Sequence, residues 1–171
     1  GKPVVFSTGM ATLDEVENAL KCLLNTKTED ITVLHCNSAY PTPIKDVNLA
    51  GINVLKKMIN TIDNPKQIEI KVGYSDHTVS SAVMYRAIHK YNANFVEFHL
   101  DLDGKGEEYQ SGHCWLPDQI SEVITNVNLG LEADGEEIFE PSPSEFPDRD
   151  WRADPSDGLR PMTKVRKSFN G

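Results

Sequence analysis

The residues in this sequence with the clearest capacity for chemistry are two histidines, His77 and His99. They fall at the ends of two β-branched and aromatic runs, Ile68–Tyr74 and Phe95–Leu100. If those runs are consecutive parallel strands, the two imidazoles stand about one strand spacing apart, near ~5 Å. At that separation a pair of imidazoles can share a divalent metal and leave positions open for a substrate. Asp76 or Glu97 is then placed to orient the rings from behind. The competing reading makes one of the two a hydrogen-bonded core histidine, and spacing alone leaves both open. Of the other histidines, His89 beside Lys90 reads as a surface residue and His35 as a structural strand residue. His113 lies in a polar loop where either role is open.

Hydroxyls gather at the same level of the chain. Ser7, Ser38, Ser75 and Thr78 all follow strand-like runs, and loops that feed helix N-termini bind anions readily. Helix capping by Thr12, Asp76 or Thr78 is the structural alternative. No GxGxxG or GxxxxGK[ST] occurs, so nucleotide-binding signatures are absent. Cys22, Cys36 and Cys114 form no CxxC pair, which argues against a zinc knuckle or a disulfide framework. Cys36 follows His35 directly, but strand neighbours face opposite ways and make a poor dyad.

These residues need elements to hold them, and the chain supplies a repeated unit. Pro3–Ser7, Ile31–Cys36, Ile68–Tyr74 and Phe95–Leu100 read as buried strands, each followed by a turn and an amphipathic helix. The first helix is capped by Thr12, with Glu15 completing a capping box, and carries Val16, Leu20, Leu23 and Leu24. Asp46 is the expected N-cap of the second, whose stripe is Leu49, Ile52, Leu55 and Ile59. Val79, Val83 and Ala87 mark the third. After the polar loop Asp101–Gly112, Pro117 opens the last, with Ile120, Ile124, Val127 and Leu131 as its stripe. Alternating strand and helix implies parallel strands joined by right-handed crossovers. Ligands then belong at the carboxyl ends of the strands. An open flavodoxin-like sheet and half of a (β/α)₈ barrel both satisfy that pattern.

Composition narrows the classes further. The chain has 171 residues, 39% hydrophobic, enough for one sizeable core and too regular for wholesale disorder. No apolar run approaches the roughly 18 residues of a spanning helix, and we read no secretory leader. A cytoplasmic protein with no membrane partner is the expectation. The balance of 26 acidic against 17 basic residues, −9 in all, argues against nucleic-acid binding. Residues 132–155 hold nine of the acids and two arginines, so the remainder is only mildly acidic and can still hold an anion. We expect a domain over 1–131 and an acidic, Pro-rich extension or linker over 132–171, extended or loosely packed, with Phe146 and Trp151 docking somewhere. The opening Gly1-Lys2-Pro3, without a methionine, leads us to expect a piece of a longer protein.

Taken in order, four motifs resemble the sialic acid synthase family, which includes N-acetylneuraminate and N-acylneuraminate-9-phosphate synthases and the legionaminic and pseudaminic acid enzymes. They are Lys2-Pro3 through Ser7-Thr8-Gly9-Met10; Leu34-His35-Cys36 with Ser38-Ala39-Tyr40-Pro41-Thr42-Pro43; Val72-Gly73-Tyr74-Ser75-Asp76-His77-Thr78; and Glu97-Phe98-His99. The resemblance covers about residues 2–131. It implies an α/β fold, a (β/α)₈ TIM barrel, of which this chain would be strands 5 to 8 plus a C-terminal extension. It also implies a transferase that condenses phosphoenolpyruvate with an N-acylmannosamine or its 6-phosphate. The enol carbon attacks the aldehyde, water adds to the oxocarbenium centre, and phosphate leaves by C–O cleavage. A divalent cation, manganese or magnesium, would polarise the aldehyde oxygen.

By this resemblance His77 and His99 are the metal ligands, and Ser7, Ser38 and Ser75 contact phosphoenolpyruvate. Tyr40 lines the sugar site, and Asp76, inside the metal motif, is read as supporting catalysis. The complete enzyme would be a homodimer. One departure stands out. Many members carry a Pro-Gly-Pro-Asp-His stretch whose Asp binds the sugar, whereas this chain reads Asp101 to Tyr109 and then Gly112-His113-Cys114-Trp115, with no residue in that Asp's place. Pro143-Ser144-Glu145 and Arg166-Lys167-Ser168-Phe169 resemble the linker into the antifreeze-like domain that ends many members. A metal-dependent barrel lyase or hydrolase, or a half barrel without activity of its own, are the other readings.

Overall fold

A computed structural model describes residues 1–169. Five strands run parallel in chain order: β1 (Val4–Ser7), β2 (Asp30–Cys36), β3 (Glu69–Asp76), β4 (Val96–Leu100) and β5 (Cys114–Trp115). Parallel neighbours require crossovers, and helices supply them. These are α1 (Leu13–Leu24), α2 (Gly51–Ile59), α3 (Ser81–Tyr85, continued by a π-turn over Arg86–Lys90) and α4 (Glu107–Gln110), while α5 (Pro117–Asp134) follows the last strand. The four expected strands are present. The fifth, only two residues long, lies just past the expected Asp101–Gly112 loop, and α4 lies inside it.

The start of α1 follows its local signal: Thr12 accepts from Glu15 N while Glu15 reaches back to Thr12 N. The start of α2 does not. Asp46 ends a 3₁₀ turn (Ile44–Asp46), and the helix begins only at Gly51. Asn48, at φ 47°, turns the backbone left-handed between the two and breaks the register a cap at Asp46 would need. The buried stripe of α5 runs through Ile120 and Val123, with Ile124 half-exposed, because the helix is rotated from the expected 120/124 seam.

Ile31 and Val33 of β2 and Val72 and Tyr74 of β3 pack with Val16, Leu20, Ile52, Leu55, Val83 and Ala87 in one core on the helix side of the sheet. By strand alternation the other face carries Ser7, Leu34, Cys36, Gly73, Ser75 and Glu97. Register sets Cys36, Ser75 and Glu97 at one level and His99 beside Cys114 at the next. Gly73 is required there, because a Cβ would lie 2.3 Å from the Phe95 carbonyl oxygen.

Residues 1–130 form one compact unit and residues 131–171 another. In the second, Ser142 and Glu145 form a capping box at the head of a 3₁₀ run, Pro143–Trp151, and α6 spans Thr163–Ser168. Asp154 ties that unit together, accepting from Ser156 N, Ser156 Oγ and Thr163 N. In a segment expected to be extended or loosely packed, these are local caps and short helical turns, and most of the side chains are exposed. Phe146 and Trp151 are both more than half exposed within it.

Candidate active site

The site forms where the strands end. After β2 the chain turns at Asn37, whose Oδ1 accepts from Ala39 N at 2.9 Å. Thr42 then donates its hydroxyl to the Asn37 and Ala39 carbonyls and its N–H to the His77 carbonyl. These bonds fasten the loop to the end of β3 and bring Tyr40, joined to Pro41 by a cis bond, over His77 with ring centroids 4.2 Å apart. Tyr40 also meets His99 at 5.7 Å and His113 at 5.0 Å. The His77 and His99 rings stand 5.1 Å apart, and His99 and His113 5.0 Å.

Each imidazole has one nitrogen engaged. His77 Nδ1 lies 2.8 Å from the Asn37 carbonyl, which can only accept, so the ring donates there and keeps its Nε2 lone pair. His99 Nδ1 lies 3.1 Å from Glu108 Oε2, and His113 Nδ1 2.9 Å from Ser111 Oγ. Burial works against a charged His77, but its contacts with Cys36 and Asn37 outweigh that and raise its pKa. Burial raises the Cys36 thiol, yet the neighbouring His77, Ser75 and Ser38 bring it below its ordinary value. The hydrogen bond from His99 lowers Glu108, while burial and the neighbouring His99 lower His113.

The other expected residues are distributed as follows. Ser75 is buried and donates to Glu97 Oε2 at 2.5 Å, so its hydroxyl proton is committed. Ser38 lines a shallow cleft of about 350 Å³ with Thr8, Met10, Cys36 and Asn37. Gly9 lets it sit there, since a Cβ would fall 1.9 Å from Ser38 Oγ. Ser7 is exposed at the end of β1, across β2 from the histidines. Asp76 is fully buried and accepts from Tyr74, Thr78, Val79 and Trp115, with no histidine among its partners. The rings are oriented instead by the Asn37 carbonyl and by Glu108, not by Asp76 or by Glu97, whose carboxylate accepts from Ser75. His35 faces away, with Nε2 2.9 Å from the Val47 carbonyl and its ring stacked on Tyr74; His89 is exposed.

Sequence reasoning did not single out Glu108 or Cys114. With His99 and His113 they place four potential ligand atoms within 4.8 Å of one another. The only signal was the adjacent His113-Cys114 pair ahead of a tryptophan. The contact with Glu108 depends on how the loop folds.

The NeuB family model matches residues 1–138. The chain belongs to the NeuB family. Relatives of this NeuB chain include the N,N'-diacetyllegionaminic acid synthase of Campylobacter jejuni, 32% identical over 146 residues that cover 84% of this chain and 41% of the relative. The N-acetylneuraminate-9-phosphate synthase of Drosophila melanogaster is 32% identical over 131 residues, 74% of this chain and 32% of the relative. Among solved structures, an N-acetylneuraminic acid synthetase from Leptospira borgpetersenii, in complex with citrate, superposes with a TM-score of 0.64 at 26% identity. That match covers 85% of this chain and 47% of the other. The NeuB chain thus spans between about a third and two-fifths of the length of the curated relatives it matches. Its α/β fold is part of the TIM barrel of such synthases. Among the described residues no helix is long and apolar enough to cross a membrane.

Proposed function

We propose that this NeuB chain carries the metal and sugar side of a nonulosonic acid synthase site. The complete protein would then condense phosphoenolpyruvate with an N-acylmannosamine-type aldehyde and release phosphate. The observation that supports this best is the meeting of His77 and His99 with ring centroids 5.1 Å apart, each with Nδ1 held by an acceptor. That pattern suits a divalent ion: fixed tautomers direct both Nε2 lone pairs to ligation, and acceptors behind the rings strengthen them as donors. Manganese or magnesium held by His77 and His99 would supply Lewis-acid polarisation of the aldehyde oxygen.

The chain's own residues prepare the site. The Asn37 carbonyl and Glu108 keep the ring protons at Nδ1. Tyr40, laid on His77, walls the sugar side. Ser7 and Ser38 offer hydroxyls to the anionic groups of phosphoenolpyruvate. Ser75, already donating to Glu97, serves by holding that carboxylate in place. The family resemblance adds a homodimer working in the cytoplasm.

The test is phosphate release by the complete protein, required to depend on phosphoenolpyruvate, an N-acylmannosamine and a divalent cation together. His77→Ala and His99→Ala each abolish that turnover, and Ser7→Ala raises KM for phosphoenolpyruvate more than KM for the sugar. Unchanged activity and metal binding in both histidine variants would overturn the assignment. Product formed from a single substrate would point to a lyase or hydrolase instead.

A further inference from the structure

The loop that replaces the family's Pro-Gly-Pro-Asp-His stretch is built to hold something. Asp101, at the end of β4, accepts from the backbone N–H groups of Asp103, Gly104 and Gly106. A Cβ on Gly106 would fall 2.1 Å from the Asp101 carboxylate, so any larger residue there would have to displace that carboxylate. At the other end Trp115 donates to buried Asp76, which fixes β5 and Cys114 with it. Between these anchors α4 delivers Glu108 to three other groups. Its Oε2 lies 3.1 Å from His99 Nδ1, 4.0 Å from His113 Nε2 and 3.9 Å from Cys114 Sγ.

We propose that this loop builds a site for a zinc-class divalent ion from His99, Glu108, His113 and Cys114. All four ligand atoms lie within 4.8 Å of one another. Around a tetrahedral ion with bonds of about 2.0–2.3 Å, ligand atoms stand about 3.3–3.8 Å apart. The separations from Glu108 straddle that span, so side-chain adjustment closes the set, and Glu108 is the exposed member free to make it. His113 and Cys114 are buried, and Ser111 occupies His113 Nδ1, which leaves Nε2 directed at the cluster. Two imidazoles, a carboxylate and a thiol select a borderline-soft ion over manganese or magnesium, which favour oxygen. The site differs from the His77/His99 pair in using His99 through Nδ1. A neutral imidazole offers a single lone pair, so His99 serves one site or the other at a time, and this ion binds only when the ring proton has moved from Nδ1 to Nε2.

The test uses the complete protein, stripped with a chelator and titrated with Co²⁺ as the probe. One equivalent is expected to raise a thiolate-to-cobalt charge-transfer absorption in the near ultraviolet, with the intense visible bands of tetrahedral cobalt, and Zn²⁺ should bleach both. Cys114→Ser removes the charge-transfer band. Glu108→Gln, at an exposed position that leaves the fold intact, weakens cobalt binding at least about tenfold. His77→Ala retains the band. Absence of the band overturns the proposal, as does its survival in Cys114→Ser or its loss in Cys36→Ser or His77→Ala. Failure of the condensation assay with the cobalt signature intact would count against the synthase reading alone.

Discussion

Asp76 gives both carboxyl oxygens to the fold. Oδ1 accepts from Tyr74 Oη, Thr78 N and Thr78 Oγ1, and Oδ2 from Val79 N and Trp115 Nε1. Val79 sits at φ 50°, an uncommon conformation for a β-branched residue, and Asp76 holds it there. Removing the carboxyl strands several donors at a buried position, each worth roughly 1–3 kcal/mol when unsatisfied. Asp76→Ala should therefore cost about 3 kcal/mol or more in urea denaturation. Asp76→Asn should cost less than the alanine change but still destabilise, since an amide NH₂ cannot accept from both Trp115 and Val79. Loss of turnover with an unchanged denaturation midpoint would return Asp76 to a catalytic role. The sequence placed Asp76 beside His77 correctly, but adjacency on a strand puts neighbours on opposite faces, and here that separates a structural carboxyl from a site histidine.

Elements were legible where their signals are local. The Thr12–Glu15 box and the four apolar runs needed only near neighbours, and the structure contains them all. β5 was not legible, because two residues show no periodicity and its existence rests on pairing with β4. The onset of α2 escaped for a similar reason: the left-handed Asn48 leaves no pattern in the apolar spacing. Gly73 was quoted within a motif, yet what it does belongs to the packing of β3 against the neighbouring segments. Its Cα faces the Phe95 carbonyl oxygen and Leu34 Cδ2, which a Cβ would approach to 2.3 and 2.5 Å. Backbone cannot yield as a side-chain tip can, so Gly73→Ala must separate β3 from the segment entering β4. The expected cost is about 1–3 kcal/mol, the range for overpacking, read as a lowered thermal midpoint. Full stability in that variant would show that the two segments part more easily than their hydrogen bonds from Tyr74 N and Asn94 N imply.

For the molecule as a whole, the acidic excess acquires a structural meaning in residues 131–171. Composition alone read that segment as extended or loosely packed, since proline, serine and acids disfavour a packed core. What organises it is carboxylates capping backbone and basic groups, which composition does not display. The Ser156 hydroxyl, with the Thr163 and Ser156 N–H groups, holds Asp154 far below the ordinary carboxylate range. Arg166 lowers Asp157, and the Ser142 N–H lowers Glu145. A carboxyl whose pKa is depressed by folding contributes stability above its unfolded value, about 4. That contribution is lost as pH falls through the folded value. Acid should therefore loosen this unit below about pH 4, while higher pH leaves it unaffected through these groups. The amide signals of Ser156 and Thr163, both donors to Asp154, report the step by nuclear magnetic resonance. Their titration midpoint should fall below 3.8, the ordinary value for aspartate. In Asp154→Asn the pH dependence of both signals should vanish and both amides should exchange faster at neutral pH. A midpoint at or above the ordinary value would mean that the Ser156 and Thr163 bonds do not persist in solution, and with them the order of the unit.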